Sequence, residues 1–176
     1  MARSTRIADT ADLVAATEWA RRVYGALRDW DVARRGRWST WDDGSILLTV
    51  ETTPDGAPCA PVTIAAVADR IAFHTRDWEA DVPMPGQSFE AAVESVRSLG
   101  RLWFSGGMKL AAFYQGDQRR GALAIDPARL EEELTRGLAW IAAQAVVDRV
   151  EIQGPRPDLD ERFGLAVDGR PLAPPN

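Results

Sequence analysis

The chain has 176 residues, 45% of them hydrophobic and 27% charged, and 26 acidic side chains outweigh 21 basic ones for a formal net charge of −5. This length suits one compact domain rather than two full-sized ones and is enough to bury a core without covalent staples; the acidic balance lacks the basic footprint of a nucleic-acid binder. With one cysteine, Cys59, and one histidine, His74, an intrachain disulfide is excluded and a four-ligand Cys/His zinc site is not expected. Any histidine-dependent nucleophilic chemistry would have to run through His74.

The basic start, Met1 to Arg6, is followed by Asp9, Asp12 and Glu18 rather than by an apolar stretch, so no secretory leader is expected. No run reaches the roughly 20 apolar residues of a membrane span, and the expected setting is cytoplasmic, with no membrane partner. Leu13, Ala16, Ala20, Val23 and Leu27 recur at spacings of three and four. They predict a helix over about residues 9–28, capped by Asp9 or Thr10. Ser45–Thr53 alternates in the manner of a strand, Pro54-Asp55-Gly56 signals a turn, and Pro61–Ala68 with Arg70–Thr75 reads as a hairpin. The sum is an antiparallel meander, which needs no crossover helix. Asp81–Gly86, with Pro83 and Pro85, reads as a loop.

Ser88 is the expected cap of a second helix whose apolar face is Phe89, Ala92, Val93, Val96 and Leu99. After it, two patterns compete. Gly100 stops the helix, and Gly106-Gly107 turns a strand, Arg101–Ser105, back into Met108–Tyr114; or the helix runs on to Phe104 and the glycines cap it. The first is the preferred expectation. Gly116–Gly121 reads as a polar turn leading into Ala122–Ile125. A third helix is predicted over about residues 127–147, opened by Asp126-Pro127 and buried along Leu130, Leu134, Leu138, Ile141 and Ala145, with Glu132 and Arg136 as an ion pair on its surface. Val150–Gln153 reads as a last strand. The expected fold is α+β, a single domain over residues 1–153 with one mainly antiparallel sheet, an N-terminal helix, a middle helix and a long helix near the C-terminus. Residues 154–176 are expected as a proline-rich tail, docked if at all through Phe163–Val167.

Few constellations carry chemistry. Asp77, Glu79 and Asp81 alternate around Trp78 close to His74, a set that can run acid–base hydrolysis; a solvated strand end with a core histidine explains it more simply. The run Glu131-Glu132-Glu133 suits a helix start. Asp158 to Glu161 lacks the glycine turn and terminal glutamate of a calcium loop, and Cys59 has no activating neighbour, so neither a metal nor a cofactor is expected. The most informative stretch is Ser105-Gly106-Gly107-Met108-Lys109. It joins adjacent glycines to the only lysine in the chain and is flanked by Trp103, Phe104, Phe113 and Tyr114. Its spacing fits neither glycine-rich nucleotide loop, but a narrow, side-chain-free tip between bulky anchors can enter a partner's pocket. Seven tryptophans and 20 arginines supply the residue types that dominate interface hot spots.

In its length, its N-terminal helix, its Trp-rich meander and its glycine-tipped Ser105–Lys109 segment ahead of a long helix, the chain resembles the immunity proteins of bacterial polymorphic toxins, those that neutralise NAD-hydrolysing necrotizing toxins. The resemblance covers the whole chain. It implies a cytoplasmic, non-enzymatic antitoxin that binds the toxin domain one-to-one and blocks its NAD pocket. On that reading the contact loop is Ser105, Gly106, Gly107, Met108 and Lys109, and Trp103, Phe104 and Tyr114 are candidate interface anchors. A secretion chaperone binding an extended segment of its client, and a small carboxylate-based hydrolase using His74, Asp77, Glu79 or Asp81, are the alternatives.

Overall fold

The computed structural model describes residues 4–7, 10–76, 78–82 and 87–164. The fold class is the expected one, α+β and mainly antiparallel, but the strands form two sheets where one was expected. The chain divides into two compact units, Met1–Gly100 and Arg101–Asn176.

In the first unit six strands lie in sequence order, each antiparallel to its neighbour: β1 (Ser4–Arg6), β2 (Arg37–Trp41), β3 (Ile46–Thr52), β4 (Pro58–Val67), β5 (Arg70–Thr75) and β6 (Trp78–Val82). The meander is therefore as read, with three strands added, β1, β2 and β6. The Trp38–Trp41 segment pairs as β2, and Asp81 lies in β6 rather than in a loop. Period-two patterning puts Ile46, Leu48, Val50, Val62, Ile64, Ala66, Ile71 and Phe73 into the core. Helix α1 (Glu18–Leu27) packs on β3 and β4 and buries Ala20, Val23 and Leu27. It begins at Thr17, not at Asp9 or Thr10. The Thr17 hydroxyl accepts the Ala20 N–H at 3.1 Å while the Thr17 N–H is held by the Gly44 carbonyl at 2.9 Å, and residues 10–13 form a separate 3₁₀ turn. Asp9 lies outside the described residues. A short helix, α2 (Asp31–Arg34), follows.

Ser88 caps the middle helix as expected, its hydroxyl accepting the Ala91 N–H at 3.2 Å. This helix, α3 (Phe89–Ser105), runs straight through Gly100, so Arg101–Ser105 is helical and the preferred strand reading does not hold. The reason is packing. A glycine inside a helix costs about 1 kcal/mol, but a Cβ on Gly100 would stand 2.4 Å from Cη2 of Trp30. Gly100 is there to admit the Trp30 ring, not to end the helix.

The second unit holds four strands in the order β10, β9, β7, β8: β7 (Lys109–Gln115), β8 (Gln118–Ile125), β9 (Arg149–Gln153) and β10 (Glu161–Gly164). Residues 161–164, placed in the tail by composition, thus form an edge strand, and 165–176 lie outside the described residues. Helix α4 (Leu130–Ala142) lies more over β8 than over β7. It closes a core of Ala111, Phe113, Ile125, Leu134, Ile141, Val150 and Ile152. Asp126 caps the entering 3₁₀ turn, residues 127–129, by accepting the Ala128 N–H at 2.9 Å. The helix ends at Ala142, short of residue 147: the Gln144 and Ala145 N–H groups both turn back to the Ile141 carbonyl, and Asp148 is engaged elsewhere. The Asp148 N–H donates to the Tyr114 carbonyl and its carboxylate accepts the Gly116 N–H, at 2.9 and 2.8 Å. On the helix surface Glu132 pairs with Arg129, and Arg136 with Glu133, in place of the expected Glu132–Arg136 pair.

Candidate functional site

The turn after α3 is short and tightly tied. The Gly106 N–H donates to the Trp103 carbonyl at 3.1 Å and the Met108 N–H folds back to the Leu102 carbonyl at 3.0 Å, so two adjacent carbonyls of the helix end find partners. Gly106 has φ +75°, the left-handed region glycine enters freely, and a Cβ there would meet no atom within 4 Å. The space outside it is open. Ser105 and Gly107 are exposed, and Leu102, one turn back, leaves 46% of its surface to solvent.

The flanking residues divide differently from the expectation. Trp103 is fully buried and Met108 is 6% exposed, so both are core residues beneath the turn rather than contacts or anchors. Lys109 is the first residue of β7, and its Nζ lies 3.5 Å from a carboxylate oxygen of Glu161. Phe104 is half-buried. Tyr114 is half-buried too, with the Arg149 guanidinium 4.6 Å above its ring centre. Of the predicted loop, Ser105, Gly106 and Gly107 remain as presented surface. Leu102 joins them, a residue that sequence reasoning passed over because helical exposure depends on where the helix ends.

The acid–base group is not assembled as a site. His74 is exposed, not a core residue, and stands opposite Glu79 across β5 and β6. Asp81 is held by Arg70 at 2.7 Å, and Asp77 lies outside the described residues. Among the described residues no group of three or more His, Cys, Asp or Glu side chains is placed to hold a metal ion, and no helix is long and apolar enough to cross a membrane. Burial raises the Cys59 thiol above its ordinary value, which keeps it protonated and unreactive. Arg156 holds Asp158 below the usual carboxylate range, making that residue one half of an exposed ion pair.

Sequence reading missed the polar knot on β9. One carboxylate oxygen of Glu151, a residue 7% exposed, lies 3.4 Å from Nε of Arg149 and 3.2 Å from Nε of Arg162. Gln153 donates to the same carboxylate at 3.3 Å. The Arg162 contact ties the edge strand β10 to β9. The two tryptophans with substantial exposure are Trp41, at 40%, and Trp140, at 45%; Trp19, Trp38 and Trp78 each pack edge-on against another ring. Comparison with family models, with curated proteins and with solved structures finds no match to this chain.

Proposed function

We propose that the chain is a protein inhibitor of the immunity type, which holds a NAD-hydrolysing toxin domain in a one-to-one complex and covers the entrance of its NAD pocket. The observation that carries this reading is the Gly106-Gly107 turn: exposed, poor in side chains, and fixed by hydrogen bonds above a buried tryptophan. Such a tip loses little conformational freedom on binding, which favours affinity. Its contact set is Leu102, Ser105, Gly106 and Gly107, narrower than the full Ser105–Lys109 segment. The reading assigns no catalytic residue, metal or cofactor to the chain, and it places the protein in the cytoplasm of the producing cell.

The test is a titration of the toxin domain with the purified protein, following NAD consumption. Hydrolysis is expected to stop at one equivalent. Leu102→Glu and Ser105→Arg change exposed side chains, so both variants should keep the circular-dichroism melt of the parent and lose at least about tenfold in inhibitory potency, or some 1.4 kcal/mol of binding. Undiminished hydrolysis at excess protein would remove the toxin as partner. Full potency in both variants would remove the turn as the contact.

A further inference from the structure

The six-stranded sheet of the first unit has a second face, away from its core. The alternation that sends Ile46, Leu48 and Val50 inward turns Leu47 and Thr49 the other way. On that side the strand register sets Arg37, Thr49, Thr63, His74 and Glu79 abreast across β2 to β6. None of the five is buried: Arg37, His74 and Glu79 are exposed, and Thr49 and Thr63 are half-buried. The neighbouring row runs from Arg6 on β1 to Asp81 on β6, and between them it is uncharged, with Leu47, Ala65 and Ala72 at its centre. Charge is thus divided between the two sides of the face. β1 and β2 carry Arg6 and Arg37 and no acid, while β6 carries Glu79 and Asp81 and no base. Arg70 on β5 answers Asp81 alone, at 2.7 Å. β4 has no charged residue, and β3 has only Glu51, beside the register shift between Val50 and Thr52. Among the described residues neither Arg37 nor Glu79 has an ion-pair partner within the chain, and four strand spacings hold the two about 19 Å apart.

We infer that this face is where two copies of the chain associate, sheet against sheet, about a two-fold axis running along β4. The division of charge selects the occupant. A two-fold axis parallel to the strands exchanges the two sides of the sheet, so β2 of each copy lies over β6 of the other. The row from Arg37 to Glu79 has its midpoint at Thr63 on β4. Thr63 therefore meets the same residue of the second copy, and Arg37 meets Glu79 twice, once at each side. A partner of uniform charge would be repelled at one side of this face; a second copy is matched at both. The small side chains between the two rows of charge let the sheets approach to the usual spacing of about 10 Å. Trp41, 40% exposed, follows Arg37 and Ser39 on the same side of β2 and adds a large apolar contact. Six strands about 4.8 Å apart and about 20 Å long offer on the order of 500 Å² per copy, so the contact is of the small, reversible class. The inference does not rest on the inhibitor reading, since the turn at Gly106 contributes no residue to this sheet.

The test is sedimentation equilibrium of the full chain from about 10 μM to about 1 mM, a range that brackets weak association. A reversible monomer–dimer equilibrium is expected, weakened by added salt. Arg37→Glu and Glu79→Arg both change exposed side chains, so each variant should keep the parent's circular-dichroism melt and associate at least about tenfold more weakly with itself. An equimolar mixture of the two variants should recover the dimer, because each copy then offers the charge the other lacks. The chain carrying both substitutions should recover it as well. Within one chain the two positions are too far apart to compensate each other, so recovery reports a contact between copies. A chain that stays monomeric at every concentration would overturn the inference and leave the face to a different partner. Association beyond a dimer, single variants that dimerise as the parent does, or variants that remain monomeric when mixed would overturn it too.

Discussion

Two glycines of one helix do opposite things, and only their neighbours tell them apart. Gly100 lies inside α3 because the Trp30 ring occupies the space of a side chain; Gly106 lies at its end because the backbone must turn left-handed. Gly100→Ala gains about 1 kcal/mol of helix propensity but forces a methyl to within 2.4 Å of an aromatic carbon. Overpacking of that kind costs about 1–3 kcal/mol. The variant should be less stable by up to ~2 kcal/mol, read as a lower urea midpoint at unchanged slope. At Gly106 any larger residue carries a left-handed backbone cost of about 1–2 kcal/mol. A bulky substitution there would therefore confuse loss of fold with loss of contact, which is why the inhibition test falls on Leu102 and Ser105.

At the scale of elements, local chemistry fixed in the sequence set most of the architecture. The alternation of Ile46, Leu48 and Val50, the Asp126-Pro127 start and the Ser88 cap each announced an element that formed where expected. What remained hidden depended on partners distant in the chain. Nothing near Gly100 announces Trp30, nothing near residues 9–16 announces that Thr17 will be held by Gly44, and the pairing of buried Glu151 with exposed Arg162 appears only once β10 lies beside β9. The turn between β2 and β3 has a consequence for pH. Asp43 accepts from both the hydroxyl and the N–H of Ser45, and those hydrogen bonds, the hydroxyl's foremost, hold its carboxyl below the ordinary value. A depressed folded-state pKa contributes stability that is complete above the unfolded-chain value and lost as pH falls through the folded one. Asp43→Asn should therefore reduce stability at neutral pH and flatten the acid limb of the stability profile, measured by urea melts from neutral pH down to the acid range.

For the molecule as a whole, charge speaks to encounter rather than to fold. A net charge of −5 draws a cationic surface from a distance, and an NAD pocket, which must attract a diphosphate, is such a surface. Under the proposed function, association with the toxin domain should slow steeply between low salt and ~0.15 M, where the screening length falls to about 8 Å, while dissociation changes little. Stopped-flow measurement across that range separates the two rates, and salt-independent association would deny electrostatics any part in the encounter. The order of strands has a different consequence, one concerned with time. In the first sheet β2 to β6 pair in succession across short connections, so those pairings can close as soon as the next few residues exist, while β1 waits across α1 and α2 for β2. In the second, β7 must wait for β9, with a hairpin partner and a helix intervening. Contacts between near neighbours along the chain form faster than those that close long loops, and synthesis delivers the N-terminal part first. The meander can therefore mature while the ribosome is still making α4, and the folding of the whole chain ends with the docking of β9 and then of β10.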